Sequence, residues 1–488
     1  MKFLGIDIGS ARIKAATIDE KGEVSDFVSS EISSMMKQTQ PLYSERNILE
    51  VWESLCLLLR RVKSIKEVNS VCVDATSSTI IPVNKDLQPL HTALMYNDQR
   101  AQEEVEEILR KSATAQKFQQ ILPLDASLGL PKCLWLLKRI ETGKKIFKFL
   151  HENDFFTMKL CETIVTSPNI ASKTHIDPAT GDFNTKIFEE IGFNTDYLPK
   201  VAPIGEIVGY VTPAASKATG IPEGTPVVNG VTDSSAGDIA TGTVEIGDVN
   251  VNIGTSLVVH GVVNRIVPDK KARIYYKPYL HRNFLVGGAT NAGTLPLDAL
   301  CNLTNKKIET LEEEAEQVPP GCDGLIAQSE WLGTRIPDHN PNVRGFLLGI
   351  TRKNFTAGHV FRSFLESNAI TLNRLLEIIS ELTGQKISEI TLCGGGAKSK
   401  LQCQIIADAT GKTVKTVETG EPAIGSAILA MAALKKEHSI KDLVKRIVKK
   451  GAEYQPNKKN YTILQNKSRQ LYKLTEKIYK NYTNPSQQ

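Results

Sequence analysis

Phe3-Leu4-Gly5-Ile6-Asp7-Ile8-Gly9-Ser10 opens the chain, and Val249-Asn250-Val251-Asn252-Ile253-Gly254-Thr255-Ser256 repeats its pattern about half a chain later. Each has a short apolar strand and a glycine-hydroxyl turn. Each then returns to an apolar stretch, Ile13–Ile18 in the first and Leu257–Val259 in the second. That is the pattern of a β-hairpin with a tight turn. Glycine lets the backbone turn sharply and lets an anion approach the amides, and Ser or Thr adds a hydroxyl donor. Two facing hairpins of this kind suit a polyphosphate held from both sides. Only the first has an acid, Asp7, where the second has Asn252. One carboxylate is what a single Mg²⁺ beside a phosphate clamp needs. Either loop alone is also an ordinary strand-to-turn junction; the pairing favours phosphate.

The 488 residues suffice for two to four domains at about 100–200 residues each. With 41% hydrophobic and 23% charged residues, the composition is that of a globular protein able to bury sizeable cores. The net charge of +5 is small for the length. The lysine surplus near the C-terminus (Lys435, Lys436, Lys441, Lys445, Lys449, Lys450, Lys458, Lys459) is interspersed with acids and helically spaced Ile and Leu. A solvated helix face fits this better than a nucleic-acid patch. None of the 8 cysteines forms a C-x-x-C pair, so reduced buried thiols in a cytoplasmic protein are expected rather than a disulfide or zinc framework. The strand beginning at Phe3 leaves no room for a signal peptide in the chain as given. No run approaches the roughly 18 apolar residues of a membrane span.

Strand-like runs alternate with amphipathic helical ones, which argues for α/β architecture. Val71-Cys72-Val73 reads as a buried strand ending at Asp74, preceded by a helix over Leu49–Val62. Further helices are expected over Ala101–Leu109, Leu134–Ile140 and Leu401–Thr410, with a buried strand at Ile390–Cys393. The loop Gly220–Pro226 precedes a strand at Val227–Asn229. A domain boundary falls most naturally near residue 245, giving domains 1–244 and 245–488.

Four segments could bear chemistry. In Val227–Gly237, a strand and Gly230 lead to Asp233 at the start of a small-residue helix, a good place for a general base acting on an alcohol. An ordinary Asp N-cap is the plain alternative. Gly394-Gly395-Gly396-Ala397-Lys398-Ser399 follows a buried strand; three glycines allow close approach to a flat ring or ribose, or simply make a flexible turn. It is neither G-x-G-x-x-G nor a G-K-[ST] P-loop. Val73-Asp74-Ala75-Thr76-Ser77-Ser78-Thr79, a hydroxyl cluster after a strand, and Tyr96-Asn97-Asp98-Gln99-Arg100 offer side chains for a polyhydroxylated ligand, or are routine loops.

In order and together, these segments resemble the FGGY family of carbohydrate kinases over nearly the whole chain. Asp7–Ser10 resembles the first phosphate loop of the family, and Ala93–Arg100 resembles its W-x-D-x-R segment, with Tyr96 where Trp is commoner. Lys132–Leu136 resembles the K-x-x-W motif. Gly345–Ile350 with His359-Val360 and Ser363–Glu366 resembles the second signature, from which Phe364 departs. Gly394–Ala397 resembles the adenosine loop, and Glu421–Ala427 the helix start that closes the adenine pocket. The resemblance implies two actin-like (ribonuclease H-like) domains with a central cleft, the first for sugar and phosphate, the second for nucleotide. It implies ATP with Mg²⁺ and phosphoryl transfer to a sugar hydroxyl. By position, Asp233 would be the catalytic base and Asp7 the metal ligand. Asp7, Thr76, Ser77, Ser78, Asp98 and Asp233 would meet the substrate. Gly9, Ser10, Arg12, Gly254, Thr255, Ser256, Gly394, Gly395, Gly396, Ala397 and Ser399 would hold ATP.

The acceptor is read from Asp74–Val83. Xylulose kinases usually have G-Q-M-H-G near Ala75–Thr79, and glycerol kinases have Arg-Glu at Ser77 and Ser78. The run is more similar to ribulose kinases, and short hydroxyls suit a small open-chain polyol. The expectation is a ketopentose, ribulose before xylulose, sedoheptulose or another polyol, with a homodimer as the candidate assembly. A catalytically silent actin-fold regulator is the rival from another class; the second signature and Asp233 argue against it.

Overall fold

The opening apolar run forms β1 (Lys2–Ile8), buried from Phe3 onward. Burial on both faces explains why it reads as a continuous hydrophobic stretch rather than an alternating one. β1 pairs antiparallel with β2 (Arg12–Asp19), and β2 with β3 (Val24–Glu31). On its other side β1 pairs in parallel with β4 (Val68–Ala75). Beyond β4 lie β6 (Pro226–Val228), also parallel, and the edge strand β5 (Ile207–Tyr210). The pattern recurs in β7 (Val249–Ile253) and β8 (Leu257–Val263), antiparallel neighbours. Here β7 pairs in parallel with β9 (Glu389–Cys393), which pairs in parallel with β10 (Thr413–Val417).

These relations come from a computed structural model that describes residues 1–139, 145–435 and 439–480. Ile140 and Lys436, named above, lie outside the described residues. The helices that matter for the site are α1 (Ile48–Leu59), α2 (Gln102–Lys111), α3 (Gly129–Arg139), α4 (Glu152–Cys161), α5 (Asp233–Ala240), α6 (Ala357–Thr383), α7 (Lys400–Thr410) and α8 (Pro422–Leu434). α1 ends at Leu59, three residues short of the sequence expectation, with Val62 in a following turn. Among the described residues no helix is long and apolar enough to cross a membrane. All eight cysteines are free thiols.

The chain divides into two units. The first comprises Met1–Val244, Lys277–Phe284 and Thr419–Val448; the second comprises Glu245–Tyr276, Leu285–Glu418 and Lys449–Gln488. A single cut at residue 244 would give the later segments of the first unit to the second. Thr419–Val448 belongs to the first because α8 packs closely there. A Cβ on Gly5 would lie 1.8 Å from the Ala423 carbonyl oxygen, and one on Gly425 would lie 1.9 Å from that of Ala236. Glycine at both positions lets α8 seat directly on β1 and α5. Ser70 Oγ adds a hydrogen bond to the Ala430 carbonyl at 2.7 Å. On the hydrophobic side, Leu4, Ile6 and Ile8 share one core with Val51, Leu55 and Leu59 of α1.

A second small sheet in the first unit runs Met36–Gln40, Tyr43–Arg46, Ala93–Leu94, Ile80–Val83, Lys148–His151. In the second unit, Phe364 is buried edge-to-face against Trp331, with ring centroids 5.7 Å apart. Glu366 is buried between Arg362 and Lys467, the latter at 2.7 Å.

Candidate active site

In the first unit, Asp7 and Asp74 occupy paired register positions on the parallel strands β1 and β4, at their C-terminal ends. Ala75 bridges to Thr232, the residue before Asp233. Gly230 makes this approach feasible, since a Cβ there would meet the Val73 carbonyl oxygen at 2.3 Å. Three carboxyls therefore converge where adjacent parallel strands end, the place where open α/β sheets bind ligands. Asp233 is the first residue of α5, and Thr232 is its N-cap. The plain N-cap alternative for Asp233 does not describe this helix. Its Oδ1 instead accepts from the Ser234 amide at 2.6 Å.

Burial pushes the Asp7 carboxyl up to about 7, opposed by Lys14 and assisted by Asp233. Burial, followed by repulsion from Asp7, also holds Asp74 well above the ordinary carboxylate range. Two carboxyls side by side in a dry site resist ionising together, and a metal cation beside them would relieve that repulsion. Ser426 Oγ donates to Asp74 Oδ2 at 2.5 Å. Lys14 lies 3.6 Å from Asp7 and 2.6 Å from Glu421. Among the described residues no group of three or more His, Cys, Asp or Glu side chains is gathered for a metal. The Asp7–Asp74 pair does fit Mg²⁺, which is typically held by one or two carboxylates together with water and substrate phosphates.

The β1–β2 turn is closed by the Gly9 amide donating to the Arg12 carbonyl at 2.9 Å, with Arg12 exposed and Ser10 half-buried at the tip. In the hydroxyl loop, the three residues behave differently. Thr76 Oγ1 is engaged, donating to Glu152 at 2.5 Å and lying 2.7 Å from Thr79 Oγ1. The Ser77 and Ser78 hydroxyl oxygens are buried and have no hydrogen-bond partner among the described residues. Ser78 sits in the left-handed region at φ 65°, a strained setting for a non-glycine residue. Lys132 of the K-x-x-W motif clamps this loop, donating to the Ser78 carbonyl at 3.0 Å and the Met95 carbonyl at 2.6 Å. Burial pushes this lysine down to about 7.

Asp98 departs from the expectation of a ligand-facing acid. It is fully buried, accepts from the Ser44 amide at 2.7 Å, and is held by the Arg100 guanidinium. Arg100 in turn stacks 3.8 Å above the Tyr43 ring. Its carboxylate is saturated by this framework and has no lone pair to spare for a ligand.

In the second unit, the loop Gly254–Ser256 joins β7 to β8 and is pinned by the Thr294 amide donating to the Gly254 carbonyl at 3.0 Å. Gly394 sits at φ 84°, and a Cβ there would meet Asn252 Oδ1 at 2.4 Å. The glycine loop is thus pressed against the end of β7, so Gly254–Ser256 and Gly394–Gly396 are adjacent. Gly395 is different: a Cβ there would meet nothing within 4 Å among the described residues. Ala397 follows in the same turn, and its amide donates to the Gly394 carbonyl at 3.3 Å. Ser399 departs from the ligand set, because its hydroxyl caps α7 through the Gln402 amide at 3.0 Å and donates to Glu312.

Several residues of the site were not found in the sequence. The sequence puts Asp74 at a strand end and at the head of the acceptor run, but carries no sign that it pairs with Asp7. Arg46, Glu152 and Asn153 gave no local motif. Nor did Lys277, which is buried with its ammonium donating to Thr232 Oγ1. Burial, then repulsion from Lys173, pushes Lys277 down to about 7, against Asp233 and Asp238.

The fold and these loops define an actin-like phosphotransferase. Two family models match, the N-terminal domain of the FGGY family of carbohydrate kinases over residues 2–240 and its C-terminal domain over 249–434. The chain belongs to that family and is an ATP-dependent sugar kinase. It is 26% identical to the xylulose kinase of Bacillus subtilis over 99% of this chain and 96% of that one. It is 25% identical to the gluconokinase of the same organism, covering 89% and 88%. In structure it is similar to ligand-bound xylulose kinase from Lactobacillus acidophilus, with TM-score 0.91, 19% identity and 99% of each chain covered. Plasmodium falciparum glycerol kinase with ADP gives TM-score 0.88 at 17% identity, covering 97% and 98%.

Proposed function

We propose that this kinase transfers the γ-phosphoryl group of ATP to a hydroxyl of a ketopentose, ribulose or xylulose, in the cytoplasm. The observation that carries the acceptor class is the pair of buried, unpartnered hydroxyls on Ser77 and Ser78. Buried polar atoms are nearly always satisfied, so these two call for a bound partner, which this reading takes to be acceptor hydroxyls. The ribulose reading comes from the run Asp74–Val83; the xylulose reading draws weight from relatives bearing that name. Asp233 acts as the general base that takes the acceptor proton. Asp7 and Asp74 hold Mg²⁺, whose role is to neutralise charge on the transferring phosphate. Gly9, Ser10 and Arg12, with Gly254, Thr255 and Ser256, hold the β- and γ-phosphates. Gly394, Gly395, Gly396 and Ala397 hold the adenosine. On this reading the first unit supplies the sugar contacts, the second the adenosine contacts, and both contribute to the phosphates.

A second reading, an aldonate acceptor, is favoured by Lys277. A buried ammonium close to Asp233 suits a carboxylate on the acceptor, and gluconokinases are among the relatives. The test is ADP release with Mg²⁺-ATP across D- and L-ribulose, D- and L-xylulose, sedoheptulose, ribitol, glycerol and gluconate, with Asp233→Asn as control. A pentulose giving the highest kcat/KM supports the first reading. Gluconate giving the highest, with loss of that preference in Lys277→Met, moves the assignment to the second. ADP release equal to background on every acceptor sinks both.

A further inference from the structure

Arg46 and Glu152 form an ion pair with both side chains fully buried. A buried pair of this kind is poor value for stability, since apolar residues of similar volume often do as well or better. What apolar residues cannot do is hold specific polar atoms, and here each partner holds one. Arg46 Nη1 donates to the Gly9 carbonyl at 3.0 Å, inside the β1–β2 turn. Its Nη2 donates to Glu152 Oε1. The other Glu152 oxygen accepts from Thr76 Oγ1 at 2.5 Å, at the head of the hydroxyl loop. The next residue, Asn153, donates from Nδ2 to the Val231 carbonyl at 2.7 Å, two residues before Asp233. Three segments from distant parts of the chain thus meet at the first turn of α4.

We propose that Arg46 and Glu152 are positioning residues that lock the Gly9 turn and the Thr76–Ser78 loop into one alignment for phosphoryl transfer. The planar guanidinium fork sets the angle between the Gly9 carbonyl and the Glu152 carboxylate, a constraint that the point charge of a lysine does not impose. Phosphoryl transfer draws most of its acceleration from positioning and charge stabilisation, so a shared anchor for the phosphate turn and the acceptor loop acts on kcat. The inference rests on the assignment of these two segments under the proposed function.

The test uses the full chain with the double substitution Arg46→Met/Glu152→Met, which removes both charges together and so avoids an unpaired buried ion. Two readouts are taken well below the melting temperature. The first is amide hydrogen exchange, which needs no acceptor. Exchange at Ser10–Arg12 and at Ser77–Thr79 is expected to rise together, by about tenfold or more, while β1 and β4 keep wild-type protection. The second is steady-state kinetics with D-ribulose and D-xylulose. There kcat is expected to fall about 100-fold, the scale of an approximately 1 Å misalignment, with both KM values within about threefold of wild type. Arg46→Lys should resemble the double variant, whereas Glu152→Gln, which keeps an acceptor for Thr76, should lie between it and wild type. A folded double variant with unchanged exchange in both loops overturns the inference. So does exchange that rises in one loop only. Absence of turnover in the wild type would instead count against the acceptor assignment, and the exchange result would still stand.

Discussion

The two hairpins are built alike and charged differently. In each unit the first strand lies between an antiparallel partner and a parallel one, and a glycine turn follows it. The same register positions hold Asp7 paired with Asp74 in the first unit, and Asn252 paired with Cys393 in the second. One pair is two acids in a dry site, which tolerates a second negative charge only with a cation beside it. The other pair is neutral, and its Asn252 serves as a wall for Gly394. The duplication therefore supplies two similar backbone turns, and the acids set the first apart as the one to which the proposed function assigns metal and proton chemistry.

The largest expected effect comes from removing the group proposed as proton acceptor. Asp233→Asn should bind ATP and fold normally but lose roughly 10²–10⁴-fold in turnover, the usual range for a general base. Steady-state ADP release with calorimetric ATP titration checks this, and near-wild-type turnover would end the assignment. The next effect comes from making the first hairpin resemble the second. Asp7→Asn should cost about 10²–10³-fold in kcat, comparable to removing one charge-stabilising group. It should also weaken the dependence of rate on Mg²⁺ concentration. The same variant has a signature in pH. The folded Asp7 carboxyl titrates near 7 against 3.8 unperturbed, so between those values the folded state binds more protons than the unfolded state. Stability from this group therefore falls as pH rises from about 4 to about 7. In metal-free buffer, wild-type Tm should drop over that window relative to Asp7→Asn, and parallel Tm curves would contradict the buried-pair description.

The hairpins, the alternation of strands and helices, and the helix opening at Asp233 were legible because each depends on local pattern: apolar runs, glycine at turns, small residues at helix starts. The position of Glu421–Ala427 was not, because the fit of α8 onto β1 depends on Gly5 and Gly425 meeting backbone from remote segments. Asp98 and Ser399 show the converse. Polar residues in loops read as ligand contacts, yet the Asp98 carboxylate is spent on Arg100 and the Ser399 hydroxyl on a helix cap. Arg46 and Glu152 are 106 positions apart, and nothing in either neighbourhood marks them as partners.

The glycine loop gives a finer contrast, between neighbouring residues. Gly394 is at φ 84° against Asn252, so Gly394→Ala should destabilise the protein itself, by about 1 kcal/mol or more. Gly395 faces open space, so Gly395→Val should leave Tm within a degree or two while weakening ATP binding about tenfold, roughly 1.4 kcal/mol, with little change in acceptor KM. Unchanged nucleotide affinity by calorimetry would remove the loop from the adenosine site.

The smallest effect is expected a few residues further on, where the resemblance suggested a ligand contact and the geometry offers a cap. Ser399 Oγ accepts from the Gln402 amide and donates to Glu312, so both of its roles lie within the second unit. Ser399→Ala should therefore cost stability, about 1 kcal/mol for a lost N-cap, and leave ATP affinity unchanged. Ser399→Asp restores a cap acceptor but sets a second carboxylate against Glu312, so it should recover less than Ser399→Asn. Thermal melts of the three variants rank the cap, and calorimetric ATP titration of Ser399→Ala separates the two roles: a several-fold loss of affinity there would return Ser399 to the nucleotide site.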